Sequence, residues 1–378
     1  MPRFARCVFA VFLAVSCLSS SLTCQAAAPE TAAAAFILME AGSGRVLASR
    51  NETQERSIAS TTKIMTCLVA LEHSELTEQV TVKREHLREG SSMYLLEGET
   101  LTMEELLYGL MLPSGNDAAE CIAAHCGGSG GSAQFVRWMN EKAKALGMEH
   151  TSFANPSGLD EAGHGSCALD MARLAVYAMQ NPTFARIVST RTASVGTRTM
   201  TNHNKLLASY SGCVGLKTGY TTSAGYCISA TAEKDGMELI AVVLKGKTSD
   251  ERFSDAKSLL NYGFSTWSLV TVTPDEVLPP VPVTLGVRGT VQPVLTSENT
   301  LLVEKALANG LTKEVGLAES VAAPVYAGDT LGQLTVRDAA GNTVAELPIL
   351  AGEDVGHVTF VQMLGRCLAR GFCMGPQS

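Results

Sequence analysis

The sequence predicts an α+β protein: helices gathered around an antiparallel sheet, then a small all-β domain and a terminal amphipathic helix. Three observations carry this. Apolar residues recur at helical spacing through the middle of the first two-thirds of the chain, between an early strand pair and three later strand-like runs. After Trp267 the composition shifts to Val, Thr, Pro and Gly with few helix signals, as in short alternating strands. Over 355–373 the helical period returns.

Taken in order, residues 35–50 read as a hairpin: an apolar strand at 36–40, a Gly42-Ser43-Gly44 turn and a return strand at 45–49. A helical pattern begins at Ser60, where Ile64, Met65, Leu68 and Leu71 share a face. Further helices are expected at 103–112, 117–126 and 133–146, the last stopped by Gly147. Strands follow at 213–220, 226–232 and 238–245, the last two joined by an Asp235-Gly236 turn. A helix near 250–261 packs back over them, leaving the N-terminal hairpin free to join the later strands in one sheet. Pro279-Pro280 and Gly341-Asn342 mark turns in the β-rich stretch. The expected divisions are 1–28, 29–267, 268–352 and 353–378.

The first of these divisions has the form of an export signal. Arg3 and Arg6 precede an apolar run at 7–18, small polar residues and Ala26-Ala27-Ala28. That run is short for a membrane span of about 20 residues. The expected mature protein is therefore extracytoplasmic, and cleavage would remove Cys7, Cys17 and Cys24 of the 11 cysteines. The remaining cysteines show no regular spacing and read mostly as small buried hydrophobes. No Cys-x-x-Cys or His-x-x-x-His spacing occurs, so neither a zinc site nor any other cofactor is expected. A net charge of -8 argues against a nucleic-acid partner.

Three short motifs occur in order: Ser60-Thr61-Thr62-Lys63, Ser114-Gly115-Asn116 and Lys217-Thr218-Gly219. None is specific alone. Ser-x-x-Lys recurs at Ser254 and Lys257, Ser60 could be a helix N-cap, and Lys217 a solvated strand lysine. Their combination has a chemical logic. A serine hydroxyl needs a base within reach, and a spacing of three on a helix stacks Lys63 beside Ser60. The cation of Lys217 and partial burial would lower the proton affinity of Lys63. The Ser114 hydroxyl can relay a proton, and the Asn116 amide can orient a lysine or a substrate amide. Lys217 and Thr218 suit a substrate carboxylate, and Gly219 leaves the strand bare for a substrate backbone. The N–H groups of Ser60 and Tyr220 are the expected oxyanion hole.

These motifs resemble those of the serine acyl-transferases that include penicillin-binding proteins and class A β-lactamases. The segments RSIASTTKIMT, GSSMYLLEGETLT, LMLPSGNDAAE and VGLKTGYTTSAGYC look like the low-molecular-mass D-alanyl-D-alanine carboxypeptidases, with similarity over about 36–264. The resemblance implies a β-lactamase-like catalytic domain that trims terminal D-alanine from peptidoglycan stem peptides and takes β-lactams as covalent inhibitors. It makes Arg252 a second carboxylate contact, against the alternative of a surface helix arginine. Tyr220 stands where many relatives have histidine, which bears on substrate preference.

Two other enzyme readings share this acylation chemistry, a β-lactamase and a DD-endopeptidase. A non-catalytic wall-binding protein is the third alternative, though such a protein need not keep Ser60, Lys63 and Lys217 together. In the tail, Phe360, Val361, Met363, Leu364, Cys367, Leu368 and Phe372 cover one helical face. Gln362, Arg366 and Arg370 line the other, the pattern of a helix lying in a membrane surface. The alternative is a helix docked on its own β-domain. The seven histidines form no visible cluster with Ser60 and receive no role.

Overall fold

The structure, a computed structural model, describes residues 29–372. The expected signal segment and its three cysteines lie outside the described residues, as does Cys373.

One five-stranded antiparallel sheet organises the larger domain. Its strands are β1 (Ala35–Glu40) and β2 (Val46–Arg50), then, much later in the chain, β7 (Cys213–Thr221), β8 (Gly225–Lys234) and β9 (Met237–Gly246). The spatial order is β2-β1-β9-β8-β7, so the N-terminal hairpin closes onto the last strand and β7 is left as an edge. Alternation along the strands explains why β1 is buried on both faces. Ala35, Ile37 and Met39 enter the core beneath the helical layer. Phe36 and Leu38 face the opposite core, under α8 (Ser249–Thr266). The β8–β9 turn has positive φ at both Asp235 (52°) and Gly236 (76°), as a two-residue hairpin requires.

Between β2 and β7 runs the helical layer. It comprises α1 (Lys63–His73), α2 (Met103–Met111), α3 (Asn116–Cys126), α4 (Gly131–Ala145), α5 (Ala168–Met179), α6 (Pro182–Ser189) and the single turn α7 (Leu206–Ser209). α1 is buried from Lys63 through Ala70, so it runs through the core instead of over it. Two short strand pairs, β3 (Gln79–Thr81) with β4 (Thr100–Thr102) and β5 (Thr192–Val195) with β6 (Arg198–Thr201), decorate this layer. Neither pair, nor α5 and α6, is among the elements expected from sequence. For α6 the signal exists: Asn181 accepts from the N–H groups of Thr183 and Phe184, with Pro182 at the first helical position. Cys67, Cys121, Cys167 and Cys227 are buried free thiols, and Cys126 and Cys213 are half-buried and free.

The smaller domain is built from β10 (Trp267–Thr271), β11 (Val281–Thr284), β12 (Thr290–Val291), β13 (Pro293–Leu295), β14 (Thr300–Glu304), β15 (Thr312–Leu317), β16 (Val321–Ala322), β17 (Thr330–Arg337) and β18 (Thr343–Ala351), with one helical turn, α9 (Lys305–Ala308). Strand order β13-β18-β17-β15 forms its main sheet. Val355 is buried and bridges to Val325, and Val358 is buried beside Leu285, so packing with this domain continues beyond residue 352. Only then does α10 (Phe360–Phe372) begin.

Candidate active site

Ser60 lies in a short 3-10 turn, Ala59–Thr62, that leads straight into α1. The turn's N-cap is Ile58, so the N-cap alternative for Ser60 is not what the chain adopts. A 3-10 turn eclipses residues three apart, which brings Lys63 Nζ to 3.1 Å from Ser60 Oγ. Two glycines let other segments close on this turn. A Cβ at Gly158 would stand 2.1 Å from Ala59 O. At Gly219 it would meet Ser60 N at 2.9 Å and Ile58 O at 3.0 Å. The absent side chain of Gly219 therefore makes room for the serine turn itself, a different use from the bare substrate track read in the sequence.

Lys63 is completely buried. Its Nζ sits 2.8 Å from Asn116 Oδ1 and 2.6 Å from Ser157 O, in addition to Ser60 Oγ. Asn116 is itself fixed: its N–H donates to Ser91 O at 2.7 Å and its Nδ2 to Glu89 O at 2.8 Å. Next to it, the Asp117 carboxylate accepts from the N–H groups of Met93 and Leu95, both at 3.1 Å, tying the 91–95 loop to α3. Burial holds the Lys63 ammonium well below its ordinary pKa, and the nearby Lys217 lowers it further against Asp117 and Glu120. A neutral lysine has two N–H groups and one lone pair. Asn116 Oδ1 and Ser157 O take the two hydrogens, which leaves the lone pair for the Ser60 hydroxyl.

Ser114 begins the second motif with φ 66°, in the left-handed region where non-glycine residues are uncommon. Its hydroxyl is buried without a partner among the described residues. A buried hydroxyl is rarely left unbonded, and water, a ligand or a proton path can each complete its bonding.

Opposite stands the edge strand β7. Lys217 is 1% exposed, and its Nζ donates to Thr218 O at 3.0 Å. Burial, with the charge of Arg252, lowers its pKa to about 7. Arg252 projects from α8 and is no surface arginine: it is 9% exposed and donates to Gly219 O at 3.0 Å. Its guanidinium also lies 5.4 Å from the centre of the Tyr226 ring. Burial lowers its pKa as well. Tyr220 is 54% exposed and stacks at a tilt on Tyr226, with ring centres 4.4 Å apart. A cleft of about 390 Å³ lined by Ser91, Tyr94, Pro113, Arg198 and His203 opens on the Ser91 side of Asn116.

The structure thus gathers Ser60, Lys63 and Asn116 through direct contacts, and joins Lys217, Thr218, Gly219 and Arg252 along β7. Sequence reasoning missed Ser157 and Gly158, which act through backbone and so leave no side-chain signature. It also missed His164, whose Nε2 lies 2.8 Å from Thr62 Oγ1.

A serine whose proton has a lysine nitrogen to go to, facing an open strand edge with its own buried cation, is the working part of a serine acyl-transferring hydrolase. Similarity to known proteins narrows the class. A model of the D-alanyl-D-alanine carboxypeptidase family matches residues 22–248, and one of the penicillin-binding protein 5 C-terminal domain matches 270–357. The chain belongs to the D-alanyl-D-alanine carboxypeptidase family. It is 33% identical over 345 residues to D-alanyl-D-alanine carboxypeptidase DacF of Bacillus subtilis, covering 88% of each chain. Among solved structures, penicillin binding protein 5 of Haemophilus influenzae matches 87% of this chain and 99% of its own, with a TM-score of 0.75 at 27% identity. The Streptomyces K15 DD-transpeptidase matches 63% of this chain with a TM-score of 0.61 at 35% identity.

Proposed function

We propose that this protein is an exported serine-type D-alanyl-D-alanine carboxypeptidase that removes the terminal D-alanine from peptidoglycan stem peptides. The observation that carries the reading is the triple contact of the fully buried Lys63 Nζ with the half-buried Ser60 Oγ, Asn116 Oδ1 and Ser157 O. Neutral Lys63 takes the Ser60 proton as Oγ attacks the carbonyl carbon of the penultimate D-alanine. The N–H groups of Ser60 and Tyr220 receive the oxyanion. As the tetrahedral species collapses, the C–N bond breaks. The leaving amine of D-alanine then takes up the proton, passed from Lys63 by way of the Ser114 hydroxyl. Water next cleaves the acyl ester, giving back Ser60. Lys217, Thr218 and Arg252 fix the substrate's terminal carboxylate, and the cleft beside Ser91 takes the rest of the stem peptide.

A β-lactam opens on the same serine. Fast hydrolysis of that adduct would require a carboxylate poised over a water beside Lys63, as in class A β-lactamases. Here the loop on that side presents Ser157 O, and Glu161 is held by Asn155 Nδ2 at 2.9 Å. Covalent inhibition by penicillin is therefore expected over turnover. Mass spectrometry of the purified protein with a peptide ending in D-Ala-D-Ala tests the function. Loss of one D-alanine supports it, whereas an untouched peptide that Ser60→Ala treats identically would refute it.

The same proposal includes attachment to the membrane surface through α10, after cleavage of the signal near residues 26–28. Phe360, Val361, Leu364 and Leu368 stand exposed on that helix, an apolar stripe that the described residues leave uncovered. Arg366 is turned the other way from the headgroup contact its position in sequence predicts. Its guanidinium donates to Gly286 O at 2.9 Å and Val287 O at 2.6 Å, clamping the helix to the β-domain. Docking and membrane attachment are thus compatible: one face is pinned and the other is free. Among the described residues no helix is long and apolar enough to cross a membrane.

A further inference from the structure

We propose that His164 is a positioning residue for the Ser60–Lys63 couple, holding the loop that carries Ser157 O against the first turn of α1. The inference rests on the reading of Ser60 as nucleophile and Lys63 as base. The loop leaves and rejoins the fold at a Ser152–Gly165 bridge, and between these points it delivers two things to the site. One is Ser157 O, which fixes Lys63 Nζ. The other is Gly158, packed on Ala59 O. Asn155 organises the tip from within, its Oδ1 accepting from Gly158 N at 2.8 Å. His164 joins the loop to the catalytic turn: Nδ1 accepts from Ala154 N at 3.1 Å and Nε2 lies 2.8 Å from Thr62 Oγ1. A backbone N–H can only donate, so the ring carries its proton on Nε2 and donates it to Thr62. Thr62 is the residue before Lys63 and is fully buried. The imidazole, buried except for 8% and edge-on to Phe153 at 5.9 Å, thereby links both walls of the Lys63 pocket.

The bond pattern exists only for neutral imidazole. A second ring proton would face the Ala154 N–H and break that bond, and it would place another cation beside Lys63. The charges around the ring are mixed. Lys63 of α1 disfavours protonation, and Asp160 and Glu161 of the same loop favour it. Glu55, Arg56 and Glu149 line the surface cleft of about 430 Å³ that the ring's exposed edge meets. Burial outweighs these and keeps the ring's pKa below its ordinary value.

Two substitutions separate positioning from mere packing. His164→Gln keeps one acceptor and one donor but does not titrate in this range, and His164→Phe keeps the shape without either bond. The readouts are the rate of acylation by a fluorescent penicillin from about pH 5 to about pH 8, and kcat and KM on a D-Ala-D-Ala peptide. His164→Phe should acylate about 10- to 100-fold more slowly, with the loss in kcat and KM little changed. His164→Gln should recover most of the rate at neutral pH and move the acid limb of the profile to lower pH. Should His164→Phe fail to fold, the His164→Gln profile decides alone. A Phe variant as fast as wild type, or a Gln variant whose acid limb stays in place, overturns the proposal. A wild-type protein that takes no label is a different result: it overturns the assignment of Ser60 and this inference with it.

Discussion

The two walls of the Ser60 cleft follow opposite rules. On the helical wall, Lys63 has three partners, Asn116 is held by two backbone carbonyls, and Asp117 is spent on backbone N–H groups. On the strand wall, Lys217 has the carbonyl of its neighbour Thr218, Arg252 bonds Gly219 O but keeps a buried Nε with no partner among the described residues, and β7 is the sheet's edge. Under the proposed function the difference matches what each wall would do. Proton transfer needs a geometry that is already correct before substrate arrives, because reorganisation would add to the barrier. Recognition of a carboxylate needs the reverse, a buried positive site whose bonding is incomplete until the ligand supplies it. An edge strand adds unpaired backbone along which a peptide can lie. Ser114, on the helical side, has a hydroxyl with no partner among the described residues, so under the proposed function it groups with the part that substrate completes.

Breaking the closed wall should cost most. Lys63→Ala should slow acylation by about 10³-fold or more for every substrate, since it removes the base without which Ser60 is a weak nucleophile. Stopped-flow acylation with a penicillin and with an ester substrate checks this. A variant impaired only on carboxylate-bearing compounds would mean that the two lysines are assigned the wrong way round.

Breaking the open wall should cost less and discriminate. Lys217→Ala should reduce kcat/KM by about 10- to 100-fold on a peptide acid and far less on its amide or ester analogue. The pH dependence follows with its sign. Lys217, with a pKa near 7, carries its charge at lower pH and loses it as pH rises through that value. Carboxylate capture should therefore weaken on the alkaline side. Lys63 must be neutral to act, so the rate falls as pH drops and Lys63 takes up a proton. A bell-shaped kcat/KM profile results: the two lysines interact and share their titrations, and protonation of His164 contributes to the acid limb. In Lys217→Ala the alkaline limb should flatten. A limb unchanged in the variant would detach it from Lys217.

Removing a region that touches neither wall should do least. Truncation after Thr359 removes α10 and should leave kcat/KM on a small soluble peptide unchanged, while releasing the protein from anionic lipid vesicles in a sedimentation assay. Retention on the vesicles would remove α10 as the anchor. Cutting earlier, at residue 352, would strip buried Val355 and Val358 from the β-domain and confuse detachment with unfolding.

Legibility in the sequence followed the same divide between side chains and backbone. The sheet, the hairpin that closes it and the helices from Ser60 to Ala145 were readable because alternation and helical spacing are written in apolar side chains. Ser60, Lys63, Ser114, Asn116 and Lys217 stand out in the sequence because their residue types and order carry chemistry, and the structure brings Ser60, Lys63 and Asn116 into contact. α5 was not, because its buried face is built largely of alanines such as Ala168, Ala172, Ala175 and Ala178, a weak periodic signal. Ser157 was invisible because it contributes a carbonyl, and Gly158 because only the fold shows that Ala59 O lies against it. Arg252 could be read as a surface residue until α8 was seen to press it under Gly219. The extent of the tail was also misjudged, since the bridge from Val325 to Val355 depends on pairing that no local pattern reveals.

The most direct test of the central claim is where a penicillin adduct forms. Wild-type protein labelled to completion, digested with trypsin and sequenced by fragmentation should carry one penicilloyl group, on Ser60 in the peptide that ends at Lys63. Ser60→Ala should carry none while unfolding within about 1 kcal/mol of wild type. An adduct on Ser254, Ser114 or any residue other than Ser60 would contradict the account.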